Sequence, residues 1–184
     1  MGKRVLLIHS SRDGQTAGIA TRIGRVLAQA GHVTVVLAAD DPSIVADIGD
    51  SDAVVIGAGI RYGSHGAAIE RLVAHNIAAL CSRPTAFFSV SLSAGGPGAR
   101  PAEAARYVHE FLDRTRWQPM ASATFGGALR YTRYNPFIKF MMRLIVGHAG
   151  GDTDTTHDYE YTDWKAVDRF GSEIAECVGE AVAA

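Results

Sequence analysis

Three short stretches of this 184-residue chain carry residue types that could do chemistry together. The first, Ser10-Ser11-Arg12-Asp13-Gly14-Gln15-Thr16, follows an aliphatic run and opens directly into helical periodicity. Hydroxyls, backbone N–H groups and a helix N-terminus then converge on one spot, which is what a phosphate monoester needs. An ordinary helix-capping turn has a similar composition. A dinucleotide fingerprint and a Walker lysine are both missing from it, so neither G-x-G-x-x-G nor P-loop chemistry is indicated. The second stretch, Gly57-Ala58-Gly59-Ile60-Arg61-Tyr62-Gly63-Ser64, lets backbone approach a flat ligand while Tyr62 offers a ring to stack on. The third, Ser89-Val90-Ser91-Leu92-Ser93-Ala94-Gly95-Gly96-Pro97-Gly98, is another flexible polar loop. Each alone reads as a turn after a strand.

Acid–base candidates are few. His65, just after the second stretch, is one candidate base, and a solvated histidine at the start of a surface helix is the alternative. Arg12 and Arg61 are cations that either stabilise negative charge on a bound ring or brace a loop, and Arg61 is the second catalytic candidate. His9 closes the first strand and reads as structural. Asp152 and Asp154 lack the glycine turn and distal Glu of a calcium loop, and Cys81 and Cys177 have no partner at metal-ligand spacing, so no metal site is expected.

Such loops must be held by elements, and the pattern supplies them. Nearly continuous apolar runs at residues 4–9, 32–38, 52–57, 84–91 and from Ala121 read as parallel strands buried on both faces. Between them, residues 16–30, 66–80 and 101–114 have helical period, and a last helix starts behind Asp163. Residues 40–49 read as a weaker helix or a loop. The alternation predicts an α/β fold with an open doubly wound sheet, whose ligands bind outside the carboxyl ends of the strands. All three stretches lie at those ends.

With 47% hydrophobic and 20% charged residues and a net charge of −1, the chain has the profile of one globular domain, and a protein basic all over that coats nucleic acid is disfavoured. Two cysteines suit a reducing cytosol better than a disulfide framework. The first residues lack the pattern of a signal peptide and read as a strand, and no apolar run reaches the roughly 18–20 residues of a spanning helix. The charge total conceals an asymmetry. Up to Asp113 there are ten basic and ten acidic residues, from Arg114 to Gly151 six basic and none acidic, and beyond that two basic and nine acidic.

The phosphate turn after the first strand and the ring-clasping loops after the third and fourth resemble the flavodoxin family. The motifs Ser11-Arg12-Asp13-Gly14-Gln15-Thr16, Val54-Val55-Ile56-Gly57-Ala58-Gly59-Ile60-Arg61-Tyr62-Gly63, Gly127-Ala128-Leu129-Arg130-Tyr131, Gly150-Gly151-Asp152-Thr153-Asp154-Thr155 and Tyr161-Thr162-Asp163-Trp164 are similar to those of the bacterial menaquinone-dependent protoporphyrinogen IX dehydrogenases. The resemblance runs from the first strand to the last helix, and its most specific part is an insertion at about 127–151. It implies a flavodoxin-like, five-stranded parallel sheet of order 2-1-3-4-5 in a single domain over 1–184, with the insertion in the fifth-strand region. It also implies FMN, held by Ser10, Ser11, Arg12, Asp13, Gly14, Gln15, Thr16, Gly57, Gly59, Ile60, Arg61, Tyr62, Gly63, Ser89, Val90, Ser91 and Leu92. The activity implied is oxidation of protoporphyrinogen IX to protoporphyrin IX in haem biosynthesis, with menaquinone or ubiquinone as acceptor and three rounds for six electrons. The implied location is cytoplasmic, peripheral on the inner face of the cell membrane.

Within the acid-free segment, residues 137–146 are apolar all round except for Lys139 and Arg143, four apart on one helical face. About 15 Å of helix is too short to span a bilayer and suits an interfacial plane. Phe137, Lys139, Phe140 and Arg143 are therefore expected to contact an anionic membrane surface, and Arg130, Tyr131 and Arg133 to meet the propionates of a porphyrinogen. A core helix or the interface of a homo-oligomer is the plainer alternative for this helix. For the whole chain, the alternatives are a flavodoxin-type electron carrier without organic substrate and an NAD(P)H:quinone reductase.

Overall fold

The computed structural model describes residues 2–180. Side chains along β1 (Arg4–Ser10) alternate between two buried layers: Val5 and Leu7 join one apolar cluster, Leu6 and Ile8 the other. Both faces of the strand are covered, which explains its unbroken aliphatic run. The other long strands are β2 (Val33–Ala38), β3 (Ala53–Arg61), β5 (Thr85–Ser91) and β6 (Ala121–Gly126), all parallel, in the order β2-β1-β3-β5-β6. Numbered among themselves, these five have the expected order 2-1-3-4-5. The short β4 (Ser64–His65) folds back antiparallel on β3, pairing Ile60 with His65.

On one face lie α1 (Gln15–Gln29) and α7 (Trp164–Glu180), which bury Ile19, Ile23, Leu27, Phe170 and Ile174 against the sheet. On the other lie α2 (Ile44–Asp50), α3 (Ala67–His75), α4 (Ile77–Cys81) and α5 (Pro101–Thr115). There Phe87 stacks on Phe111 with ring centroids 4.6 Å apart. Each such fully buried side chain contributes about 1.5–3 kcal/mol.

Two expectations are corrected. The helix expected over 66–80 is two helices, because Asn76 leaves helical geometry (φ −110°, ψ 13°) and its side-chain amide caps the Leu72 carbonyl at 2.8 Å. Residues 58–61, expected in a loop, extend β3 to Arg61, and a two-residue turn with positive φ at Tyr62 (50°) and Gly63 (80°) makes the hairpin to β4.

The insertion leaves the sheet after Gly126. It comprises β7 (Ala128–Leu129), a 3₁₀ turn at Tyr131–Arg133, α6 (Pro136–His148) and β8 (Tyr159–Glu160), which pairs antiparallel with β7. The excursion therefore closes at Glu160 and not near Gly151. Asn135 caps α6, its Oδ1 accepting from the Ile138 N–H at 2.8 Å, and Pro136 occupies the first turn. Leu129, Tyr131 and Val146 form a small core of its own.

Candidate functional site

β1 ends at Ser10 and α1 begins at Gln15, so the four residues between them make a tight turn completed by Gly14 at φ +89°. No side chain caps the first amides of α1 among the described residues, and Ser11 Oγ is enclosed without a hydrogen-bond partner. A buried hydroxyl left so is costly unless a ligand completes it. Thr16 is buried, and a Cβ on Gly59 would come within 3.2 Å of its hydroxyl, so the end of β3 passes close beside the turn. Unpaired amides, an unpartnered hydroxyl and a helix N-terminus fit a phosphate monoester.

Gln15 does something else. Its Nε2 donates to Thr162 Oγ1 at 2.7 Å, and its Oε1 accepts from the Arg130 guanidinium at 2.8 Å.

Beyond the turn, Tyr62 stands 91% exposed at the hairpin tip, with the Arg61 guanidinium 5.1 Å from its ring centroid. A hydrogen bond from Arg61 and the charges of Arg61 and Arg12 hold the Tyr62 phenol below its ordinary pKa. The Arg61 guanidinium thus lies over an open aromatic ring. Leu92 begins a 3₁₀ turn (Leu92–Ala94) and packs against the insertion's core, while Gly95 and Gly96 lie so close to Tyr161 that a Cβ on either would come within 2.7 Å of it. The loop after β5 is thereby pressed against the insertion.

Several expected site residues have other duties. Gly57 sits within β3 beneath the Phe88 ring, where a Cβ would lie 2.0 Å from Cζ, so packing and not ligand approach requires glycine. Val90 is part of the core. Ser89 is buried, its hydroxyl 2.9 Å from His65 Nε2. His65 is no surface histidine: it is 3% exposed, edge-on to Phe87 and Phe111, and burial followed by the nearby Arg114 charge lowers its pKa to about 4. It is neutral and structural. Tyr131 is fully buried, its hydroxyl donating to the Asp152 carbonyl at 2.9 Å, and Arg130 turns inward to pair with Glu160 at 3.1 Å. Both are thus occupied within the protein, and only Arg133 of that expected trio faces solvent.

α6 lies at the boundary of the molecule. Phe137, Phe140, Met141, Leu144 and Ile145 are between 41% and 74% exposed, while Met142 and Val146 face the protein. The apolar stripe thus points outward, with Arg143 exposed on its flank and Lys139 half-buried. At its C-terminal end α6 abuts the loop after β5, where a Cβ on Gly98 would come within 2.9 Å of the Ala149 carbonyl oxygen. Among the described residues no helix is long and apolar enough to cross a membrane.

Four contributors escaped the sequence reading. Tyr134 receives the Arg130 backbone N–H at 3.4 Å, and burial, with the Asp13 and Asp158 charges, raises its pKa. Thr162 ties Gln15 to the Gly126 carbonyl at 2.7 Å, Glu160 pairs with Arg130, and Tyr161 donates to Asp152 Oδ2 at 2.6 Å. The Tyr161-Thr162-Asp163-Trp164 motif signalled two of them, Tyr161 and Thr162, and nothing in the sequence pattern marked the other two.

A sheet of this order with its phosphate turn and aromatic hairpin at the carboxyl ends of the strands defines a flavin-binding class. The sequence profile of the flavodoxin domain matches residues 6–156, and the chain belongs to the flavodoxin family, whose cofactor is FMN. The chain is similar, at 39% identity over 175 residues and 94% of each chain, to the Escherichia coli (strain K12) protein named protoporphyrinogen IX dehydrogenase [quinone]. A Leishmania major protein of the same name is 38% identical over 174 residues, 94% of this chain and 74% of its own. Among solved structures, a flavodoxin mutant from Pseudomonas aeruginosa superposes with a TM-score of 0.58 at 12% identity, covering 96% of this chain and 99% of that one, a likeness of fold alone.

Proposed function

We propose that this protein is a protoporphyrinogen IX dehydrogenase, which oxidises protoporphyrinogen IX to protoporphyrin IX with FMN and passes the electrons to a quinone, menaquinone or ubiquinone, in haem biosynthesis. The observation that carries this reading is the 39% identity to a relative of that name across 94% of both chains, a span that includes the insertion as well as the flavin loops. When bound, FMN supplies the two-electron redox step. The uncapped amides of α1, Ser11 Oγ and Thr16 would hold its phosphate, and Tyr62, Ser91 and Leu92 would line the side that takes its ring. Arg12 and Arg61 would supply positive charge to a reduced, anionic ring. With His65 neutral and enclosed, protons released by the macrocycle pass to solvent.

The outward stripe of α6 supports a second, finer reading: a peripheral membrane contact that brings the strand-end site to a lipid-dissolved quinone. Phe137 and Phe140 enter the interface, and Arg143 and Lys139 meet anionic headgroups at about 1 kcal/mol each. The exposed Arg133 is the cation left to meet a propionate of the substrate. An anaerobic assay of porphyrin fluorescence tests the activity. Fluorescence that grows only with FMN, quinone and protein together is expected, and none above the protein-free rate would refute it. For the membrane contact, Lys139→Glu with Arg143→Glu is expected to release the protein from anionic vesicles with flavin content unchanged, and persistence on the vesicles would contradict it.

A further inference from the structure

The insertion has three buried side chains in a core of its own, Leu129, Tyr131 and Val146, and turns its largest apolar face away from the protein. Where it sits over the strand ends therefore depends on ties at its root. One of these reaches the phosphate turn. Gln15, the first residue of α1, donates to Thr162 at 2.7 Å and accepts from Arg130 at 2.8 Å. Arg130 continues to Glu160 at 3.1 Å, and Glu160 accepts from Trp164 Nε1 at 2.8 Å. A chain of bonds, partly buried at Gln15 and exposed at Glu160, thus joins the β1–α1 turn, the residue after β7, the end of β8 and the first turn of α7. The part-buried bond from the charged Arg130 guanidinium to Gln15 is of the stronger kind.

We propose that Gln15 and Arg130 are positioning residues: through them, filling of the phosphate turn fixes the insertion over the strand ends. The inference rests on the reading that this turn holds FMN. The turn is incomplete as it stands, with Ser11 Oγ and the first amides of α1 unpaired, so a phosphate there immobilises the backbone that carries Gln15. Gln15 transmits that order to Arg130 and Thr162. By linkage the reverse also holds, and an ordered insertion tightens FMN binding.

The test is amide hydrogen exchange of the full-length protein with and without saturating FMN. In the parent, FMN slows exchange about tenfold or more both in residues 10–16 and in residues 127–160. In Arg130→Met the slowing in 10–16 persists, while that in 127–160 falls below about twofold. Gln15→Met, of similar volume but without either bond, behaves in the same way and serves if Arg130→Met does not fold. Glu160→Gln, which leaves the Gln15–Arg130 bond in place, keeps the response. A merely structural tie would change exchange in 127–160 equally with and without FMN. FMN-dependent protection of 127–160 that survives in both Met variants, or that is missing from the parent while 10–16 is protected, overturns the proposal. If FMN protects neither segment of the parent, the reading of the phosphate turn itself falls.

Discussion

The sheet and the insertion handle apolar surface in opposite ways. In the sheet, the central strands β1, β3 and β5 are dry inside, with Leu6, Leu7, Ile8, Phe87 and Phe88 completely enclosed between two helical layers, while the edge strands β2 and β6 are only partly covered. The insertion encloses Leu129, Tyr131 and Val146 and leaves Phe137, Phe140, Leu144 and Ile145 more than half exposed. A surface stripe of that length on a small domain is costly in water unless something covers it. Apolar residues are packed in one region and left facing outward in the other, so equal deletions should have unequal effects.

The largest effect is expected at Gly57→Ala, whose Cβ would strike the Phe88 ring. A destabilisation of about 3 kcal/mol, roughly 6–12 °C in Tm, is expected in thermal melts. His65 comes next. Its folded pKa lies near 4, below the ordinary 6.5, so the unfolded chain binds the extra proton first as pH falls. The stability it contributes is therefore complete above pH about 6.5 and is lost as pH drops toward about 4, by about 3 kcal/mol. His65→Gln, which never charges, should flatten that part of a denaturation-versus-pH curve. Thr16→Val should weaken FMN about tenfold by titration, near 1.4 kcal/mol, without changing Tm in the apo state by more than a degree or two. Smallest of all, Phe137→Ser with Phe140→Ser should alter stability by less than about 0.5 kcal/mol, because neither ring is packed. A loss as large as at Gly57 would erase the distinction between the regions.

The sheet was legible because doubly covered parallel strands leave continuous aliphatic runs, and the β1–α1 turn because it must sit between the first of these runs and a helix start. Less legible was what each polar residue does once its neighbours arrive. His65 looks solvated in sequence, and only the fold-back of β4 carries it between Phe87 and Phe111. Arg130 looks like a carboxylate receptor for a ligand, but the carboxylate it meets is Glu160, thirty residues on and brought near by β7–β8 pairing. Gly57 and Gly59 look alike in the motif, and the packing of Phe88 against one and Thr16 beside the other separates them. The cationic pair Lys139 and Arg143 marked α6 as a boundary helix, but which of its faces turns outward is decided by Met142 and Val146 docking on Tyr131 and its neighbours.

Comparing two electron acceptors in one variant tests the division of labour most directly. The FMN-loaded protein carrying Phe137→Ser and Phe140→Ser would be assayed with protoporphyrinogen IX and either a water-soluble short-chain quinone or a long-chain quinone in anionic vesicles. Because the strand-end site is intact and only the outward stripe is altered, turnover with the soluble quinone should stay within about twofold of the parent, while turnover with the vesicle quinone falls at least about tenfold. Equal loss with both acceptors, or no loss with either, would contradict an insertion that serves contact and a sheet that serves chemistry.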